Sequence, residues 1–516
     1  MTDNIWNFIA PALRQRGDNL VWICRQSGAS NREVQASTLY AGALNLAADL
    51  RARGVGAGDA VALTADNGPE WTAAALAIWK VGAALVPVHI GSSEHEIEVQ
   101  LAAVKPALVL SAGRALTNAD LPITLNTDAA VMAAEEAIAC EVSPAAEACL
   151  IYTSGSTGQP KIVRLSHANI VCNVEASAAV TDADDSDRFF ALLPFSHAMG
   201  MTGVLLLALY HGAILVSPRV LAAAEILAAL EEEHITVLVA VPRLFRNVML
   251  GIEKKIAAAG PGMKAFVGLI RICPQGLKLV LNAPLRKRFG GNIKDWVSGG
   301  SRLDPEITRY FHALGIPVRQ GYGLTETAPV VSLQERYDSA PDSVGKPLPG
   351  VEVRIENPDE SGSGELLVRG PNVMLGYTDP ALTAEAMIGD WYRTGDIARI
   401  DAQGRITLTG RSKRLIVTDA GKNVYPEELE TLLERDSAVT EAAVLELDAR
   451  PVAVLAMAGG TPETEAQRVI RDFNQLVSSH NQISRFALIE ELPRTPLGKI
   501  ALHKLPQFFQ QHEITR

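Results

Sequence analysis

Short, wholly apolar runs set the strongest constraint on how this chain folds. Ala60-Val61-Ala62-Leu63-Thr64, Ala84-Leu85-Val86-Pro87-Val88 and Ala107-Leu108-Val109-Leu110 read as strands. Between the first two, Pro69 to Lys80 reads as a helix, with Asn67 as its candidate cap. Such runs alternate with helical patterns over roughly the first 400 residues, which predicts an α/β fold with a mainly parallel sheet. Val344 to Val368 differs: Pro349-Gly350 and Ser361-Gly362-Ser363-Gly364 break it into short strands, the mark of a small β subdomain. At 516 residues the chain exceeds one ordinary core, so two or more domains are expected. A boundary is expected at the polar turn Ile400-Asp401-Ala402-Gln403-Gly404, giving domains at 1–400 and 401–516.

Composition narrows the function classes. A hydrophobic share of 48% supports a large buried core, and the net charge of −11 with no basic run argues against nucleic acid. The five cysteines, Cys24, Cys140, Cys149, Cys172 and Cys273, form no CxxC pair and read as thiols of a reducing compartment. The start, Met1 to Trp6, lacks the apolar core of a secretory signal, so a cytoplasmic protein is expected. The apolar tract from Met199 to Val216 is barely long enough to span a bilayer, and Gly212 interrupts it. A buried helix–turn–strand is the better reading; peripheral membrane contact stays open.

The chemistry announces itself at Tyr152-Thr153-Ser154-Gly155-Ser156-Thr157-Gly158-Gln159-Pro160-Lys161. Glycines let backbone N–H groups converge on an anion, hydroxyls add donors, and Lys161 adds a point charge. Such a loop suits a polyphosphate, yet no Gly-Lys-Ser/Thr triplet makes it a Walker A loop. Further glycine-rich or charged segments follow in order: Ser298-Gly299-Gly300-Ser301, Gly321-Tyr322-Gly323-Leu324-Thr325-Glu326-Thr327 and Tyr392-Arg393-Thr394-Gly395-Asp396. Gly410-Arg411-Ser412-Lys413, Gly421-Lys422-Asn423-Val424-Tyr425-Pro426 and Pro493-Arg494-Thr495-Pro496-Leu497-Gly498-Lys499 complete the series.

This ordered series resembles the adenylate-forming superfamily of acyl-CoA synthetases, amino-acid adenylation domains and luciferases, over nearly the whole chain. The resemblance implies that a carboxylate attacks the α-phosphate of ATP, and that a thiol then displaces AMP from the acyl-adenylate. It implies that Thr153, Ser154, Gly155, Ser156, Thr157 and Lys161 hold the β- and γ-phosphates. Glu326 would ligate Mg²⁺, which takes few protein carboxylates, and Thr325 would donate to the α-phosphate. Tyr322 would lie on adenine, its flanking glycines favouring an exposed ring face, with the backbone of Gly299, Gly300 and Ser301 on the other side of the base. Asp396 and Arg411 would meet the ribose, although a surface ion pair is the plainer reading of those residue types. Lys499 would neutralise charge during adenylation, Asp401 would be the hinge of a small mobile C-terminal domain, and Gly421 would line a pantetheine tunnel for CoA.

Pro194-Phe195-Ser196-His197-Ala198-Met199-Gly200 and Val241-Pro242-Arg243-Leu244-Phe245 resemble acyl-pocket segments of fatty acyl-CoA synthetases. His197, Met199, Gly200 and Val241 are the candidate substrate contacts, with helix core as the alternative for the small and apolar ones. The expected enzyme is therefore an ATP- and Mg²⁺-dependent acyl-CoA ligase for a medium- or long-chain fatty acid. The alternatives are transfer to an acyl carrier protein, or an aryl or amino acid as substrate.

Overall fold

The computed structural model describes the chain except residues 1–2, 27, 29, 114–119, 124, 126–140, 155–159, 288, 418–422, 449, 460–462, 495–499 and 516. Packing divides it into two compact units, Met1–Val353 with Val368–Tyr392, and Arg354–Leu367 with Arg393–Arg516.

The larger unit is built on two sheets. The apolar runs at Ala60–Thr64, Ala84–Pro87 and Leu108–Ser111 are parallel neighbours in a seven-stranded sheet. Its order continues through Glu147–Ser154 and Pro160–Ser166 to an edge at Gly376–Tyr377. A nine-stranded sheet holds Leu20–Cys24, Arg188–Phe190, Ile214–Ser217, Val237–Ala240, Asp295–Ser298 and Val318–Gly323 as parallel neighbours. Strands read as continuous apolar runs because both faces of each sheet are covered. Phe189, Leu215 and Val237 enter one core while Phe190, Val216 and Leu238 enter another, following the period-two alternation of a strand. Likewise Val61, Leu63 and Leu85 point into the first core, and Ala62, Ala84 and Val86 into a third. The first core lies between the sheets and is filled by the helices Ile5–Arg16, Ala36–Ala52, Pro69–Val81 and His167–Ala178.

The apolar tract from Met199 folds as a short helix, a π-helical turn over Met201–Leu206 and a further helical turn to His211. Gly212 takes a left-handed φ of 66° to close it, and Ile214–Ser217 follows as a strand. Among the described residues no helix is long and apolar enough to cross a membrane. Four thiols, Cys24, Cys149, Cys172 and Cys273, are free. Burial pushes Cys24 up to about 11 and Cys172 up to about 12, so both stay protonated at neutral pH.

One expectation fails locally. Asn67 does not cap the Pro69–Val81 helix; Gly68 occupies the cap position. The Asn67 amide instead donates to the carbonyls of Ala191 (2.9 Å) and Leu193 (2.7 Å), and its oxygen accepts from the Phe195 N–H (2.9 Å). A distant backbone segment with unpaired groups outcompetes the helix end for the amide.

The smaller unit has a four-stranded sheet, ordered Val439–Leu447, Arg450–Met457, Arg485–Ile489 and Glu513–Thr515, covered by the helices Pro426–Leu433 and Glu463–Leu476. It also contains an antiparallel hairpin whose register pairs Asp396 with Arg411 and Ile400 with Ile406. Asp401 sits in the turn of that hairpin. Its carboxylate accepts from the N–H groups of Gln403 and Arg405, each at 2.9 Å, which holds its pKa below the usual carboxylate value.

His167 joins the first helix to the rest of the larger unit. The Ile5 N–H donates to His167 Nδ1 at 3.3 Å, and Nε2 is buried without a partner. Burial lowers the imidazole pKa to about 4. The unfolded chain, with an ordinary histidine pKa near ~6.5, binds the extra proton first, so stability is full above ~6.5 and falls as pH drops toward 4. Between pH 7 and pH 5 the expected loss is about 2 kcal/mol for this one group. Urea unfolding at pH 7 and pH 5 should show it, and His167→Gln should flatten that part of the pH dependence.

Candidate active site

Parallel strands end together, so the loops after their carboxyl ends share one rim. Three of the predicted segments leave the nine-stranded sheet this way. Arg188–Phe190 leads to the Pro194–Gly200 segment, Val237–Ala240 to Val241, and Asp295–Ser298 to Gly299-Gly300-Ser301. A Cβ at Gly299 would lie 2.7 Å from Met199 Sδ; one at Gly300, where φ is 84°, would lie 3.9 Å from Val241 Cγ1. Met199, Val241 and the glycine turn are therefore gathered at one place, with the Met199 thioether against Gly299.

Gly200 lies beside them but is filled from another direction. A Cβ there would be 2.2 Å from the Pro194 carbonyl oxygen, so its missing side chain admits backbone and leaves no opening. His197 is half-buried and stacks on His89, ring centroids 5.6 Å apart; His89 Nδ1 is 3.2 Å from Ser196 Oγ. Burial lowers the His89 pKa, which favours the neutral ring.

The Gly321–Thr327 segment brings a correction. Tyr322 is only 8% exposed, so the flanking glycines do not present a free ring face. Gly323 serves close packing instead: a Cβ there would lie 1.9 Å from the Pro329 carbonyl oxygen. The next residues, Thr325–Thr327, form a single 3₁₀ turn.

Glu326 on that turn is half-buried and accepts a hydrogen bond from Tyr377 Oη at 2.8 Å. Lys161 Nζ stands 4.8 Å from the centroid of the same tyrosine ring. Burial, then the Glu326 charge, drives the Tyr377 pKa up, so its hydroxyl stays a donor. Tyr377 thus joins the strand bearing Lys161, where it pairs with Val163, to the turn bearing Glu326. No sequence reading singled out Tyr377. Its one signal is a Gly-Tyr pair after Pro371-Asn372, and a Cβ at Gly376 (φ 131°) would meet Thr383 at 2.8 Å.

Three buried asparagines fix this junction. Asn173 Nδ2 donates to the Val330 carbonyl at 2.7 Å, and its oxygen accepts from the Val330 N–H at 3.1 Å. Asn169, one helical turn earlier, donates to the carbonyls of Pro371 (2.7 Å) and Val373 (2.8 Å). Asn372 Nδ2 donates to the Thr327 carbonyl at 3.0 Å, and the Met374 N–H to the Glu326 carbonyl at 2.9 Å.

Thr153 pairs in register with Lys161 across the Glu147–Ser154 and Pro160–Ser166 hairpin. Ser154 closes that hairpin, while Gly155, Ser156 and Thr157 lie outside the described residues, as do Gly421 and Lys499. In the smaller unit Asp396 is buried and Arg411 Nε lies 3.1 Å from its Oδ1, with Arg411 more than half exposed. Among the described residues no group of three His, Cys, Asp or Glu could hold a metal by itself. Glu326 offers one hard carboxylate oxygen with a lysine across the tyrosine ring. That donor set fits Mg²⁺ completed by phosphate oxygens and water, and it fits no all-protein cage.

Residues 12–378 match the model of the AMP-binding enzyme family. The chain belongs to that family. It is 32% identical over 446 residues to the long-chain-fatty-acid–CoA ligase FadD15 of Mycobacterium tuberculosis, covering 77% of this chain and 72% of that protein. It is 27% identical to the indoleacetate–CoA ligase of Aromatoleum aromaticum over 93% of this chain and 96% of that one. Among solved structures, ATP-bound MatB from Rhodopseudomonas palustris has the same fold, with a TM-score of 0.79 at 23% identity over 98% of this chain and 99% of that chain. The curated relatives are CoA ligases or synthetases, and this family member is an enzyme of the acid–CoA ligase class.

The asparagine junction carries a test. Asn173→Ala strips the partner from the part-buried Val330 N–H and leaves the Val330 carbonyl only the 3.4 Å contact with Asn372, at an expected cost of about 1–3 kcal/mol. Hydrogen exchange should quicken at the Val330 amide, and the Met374 amide should follow if the Glu326 turn loosens with it.

Proposed function

We propose that this enzyme activates a medium- or long-chain fatty acid as its acyl-adenylate and passes the acyl group to CoA. The observation that carries the activation step is the meeting of Lys161 and Glu326 on Tyr377. A cation over the ring of one phenol and a carboxylate on its hydroxyl suit a triphosphate and its divalent ion. Phosphoryl-type transfer asks a protein mainly for positioning and charge neutralisation.

In this reading Glu326 holds Mg²⁺, which neutralises phosphate charge when bound, and the Tyr377 hydroxyl fixes the carboxylate in orientation. Lys161, Thr153 and the hydroxyls of Ser154, Ser156 and Thr157 take the β- and γ-phosphates, and Thr325 donates to the α-phosphate. The backbone of Gly299, Gly300 and Ser301 passes along the base. Asp396 accepts from the ribose hydroxyls, with Arg411 beside it. Lys499 neutralises the charge that develops between carboxylate and α-phosphate. Domain movement about Asp401 then brings the Gly421 loop into place for CoA. The roles of Lys499 and Gly421 rest on the motifs alone.

The fatty character of the acid is supported by Met199 and Val241, apolar groups beside the glycine turn, and by the named substrate of FadD15. Relatives named for indoleacetate and ferulate mark the aryl alternative. Pyrophosphate release over a panel of fatty, aryl and amino acids, with and without CoA, should respond to fatty acids and yield acyl-CoA. A response to aryl or amino acids alone would overturn the substrate. Acyl transfer to a carrier protein with none to CoA would overturn the acceptor.

Two variants address the residues. Glu326→Gln should cut adenylation by about tenfold to a hundredfold, most severely at limiting magnesium, with an unchanged melting curve. Lys499→Ala should slow adenylation by orders of magnitude, as loss of one electrostatic donor does, and leave CoA transfer from a preformed acyl-adenylate near the wild-type rate. Single-turnover assays of each half-reaction separate the two steps.

A further inference from the structure

The chain is acidic, but one stretch reverses the sign. From Pro242 to Arg288 it carries ten lysines and arginines against a single glutamate, Glu253, while the whole chain has a net charge of −11. Most of the basic residues are dispersed among apolar ones; Lys254-Lys255 and Arg286-Lys287-Arg288 are adjacent. This stretch folds as the helices Pro242–Ala258, Pro261–Ile272, Gln275–Leu281 and Ala283–Lys287.

Its apolar residues divide between two faces. Ile252, Ile256 and Val267 pack on the core of the nine-stranded sheet, and Ile270 is buried. Phe266, Leu269, Ile272, Leu277 and Val280 face outward, with Ile272 80% and Val280 69% exposed. Of the seventeen large apolar side chains exposed among the described residues, seven fall between Leu250 and Val280. Exposed apolar groups this concentrated mark a binding surface.

We infer that the helices between Pro261 and Leu281 dock on an anionic phospholipid bilayer. Charge complementarity selects that occupant. Lysines beside the apolar side chains, such as Lys264 and Lys278, would meet lipid phosphates while Phe266, Leu269 and Ile272 enter the interface. Nucleic acid would satisfy the charge but leave the apolar groups in water. A second copy of the chain would set the same positive face against itself. The helix Pro242–Ala258, which starts directly after Val241, connects the glycine-turn region to this surface in the chain. Docking itself does not depend on the acid being fatty.

The test is co-sedimentation of the full chain with vesicles of mixed phosphatidylglycerol and phosphatidylcholine, and with vesicles of phosphatidylcholine alone. The protein should pellet with the first, should do so at least tenfold less with the second, and should be released by salt. Phe266→Asp combined with Ile272→Asp should abolish pelleting. Lys264→Glu combined with Lys278→Glu should lower it by an order of magnitude or more, since each interfacial charge changes partitioning by about fivefold. Leu476→Asp, at an exposed leucine of the smaller unit, should change nothing. Melting curves and circular dichroism confirm that each variant folds. Equal pelleting with both vesicle types, or equal loss in Leu476→Asp, would overturn the proposal. So would absence of pelleting together with a dimer that Ile272→Asp dissociates, or with binding to a single-stranded oligonucleotide.

Discussion

Three buried carboxamides hold this active-site region together, two of them, Asn169 and Asn173, paired at both the amide nitrogen and the oxygen. Asn169 and Asn173 stand four residues apart on one helix and so project from the same face. One amide takes the carbonyls of Pro371 and Val373; the other takes both backbone groups of Val330. Asn372 closes the set onto Thr327. Two irregular segments with unsatisfied backbone groups become a single fixed object in this way. The Glu326 carboxylate and the Tyr377 hydroxyl meet because their backbones are already pinned. An unpaired member would leave a buried polar group at full desolvation cost, which gives the junction little freedom to drift.

Close backbone approach is the second organising constraint. Gly200 lets the apolar tract enter its helix against the Pro194 carbonyl, and Gly323 lets a strand end against Pro329. Asn67 reaches from the other sheet to tie down the intervening segment up to Phe195. The residues beside the glycine turn therefore come from elements anchored on both sheets. The apolar and polar halves of the site share a wall: Met199 and Val241 on one side, the glycine backbone on the other. An acid with an apolar tail and a reacting carboxylate would lie along that boundary.

The same logic distinguishes structural charge from functional charge. Arg25 is buried among Glu225, Glu232 and Glu233, and Arg319 is buried against Asp295; both belong to the scaffold. Lys161 has an aromatic face as its neighbour, and Glu326 a neutral phenol. Among the described residues neither charge is paired with an opposite one, which suits groups kept for a charged ligand.

Much of this was legible in the linear chain. Continuous apolar runs determined parallel, doubly covered sheets, because strands buried on both faces cannot alternate with polar residues. Glycine, hydroxyl and lysine content marked the Tyr152–Lys161 loop, and the order of the later segments determined the family. Local patterns are readable when the physical cause is local. Asn67, placed correctly for a helix cap, went instead to a backbone segment more than a hundred residues away. Tyr322 looked accessible between two glycines, yet Gly323 admits the Pro329 backbone, and the ring is buried. Tyr377 carried almost no signal, since its importance comes from a partner 51 residues earlier in the chain. The sequence alone determined which chemistry the chain carries; tertiary structure decided which side chains meet to perform it. Hydrogen bonds and close contacts between distant segments have no period and no spacing from which they could be read.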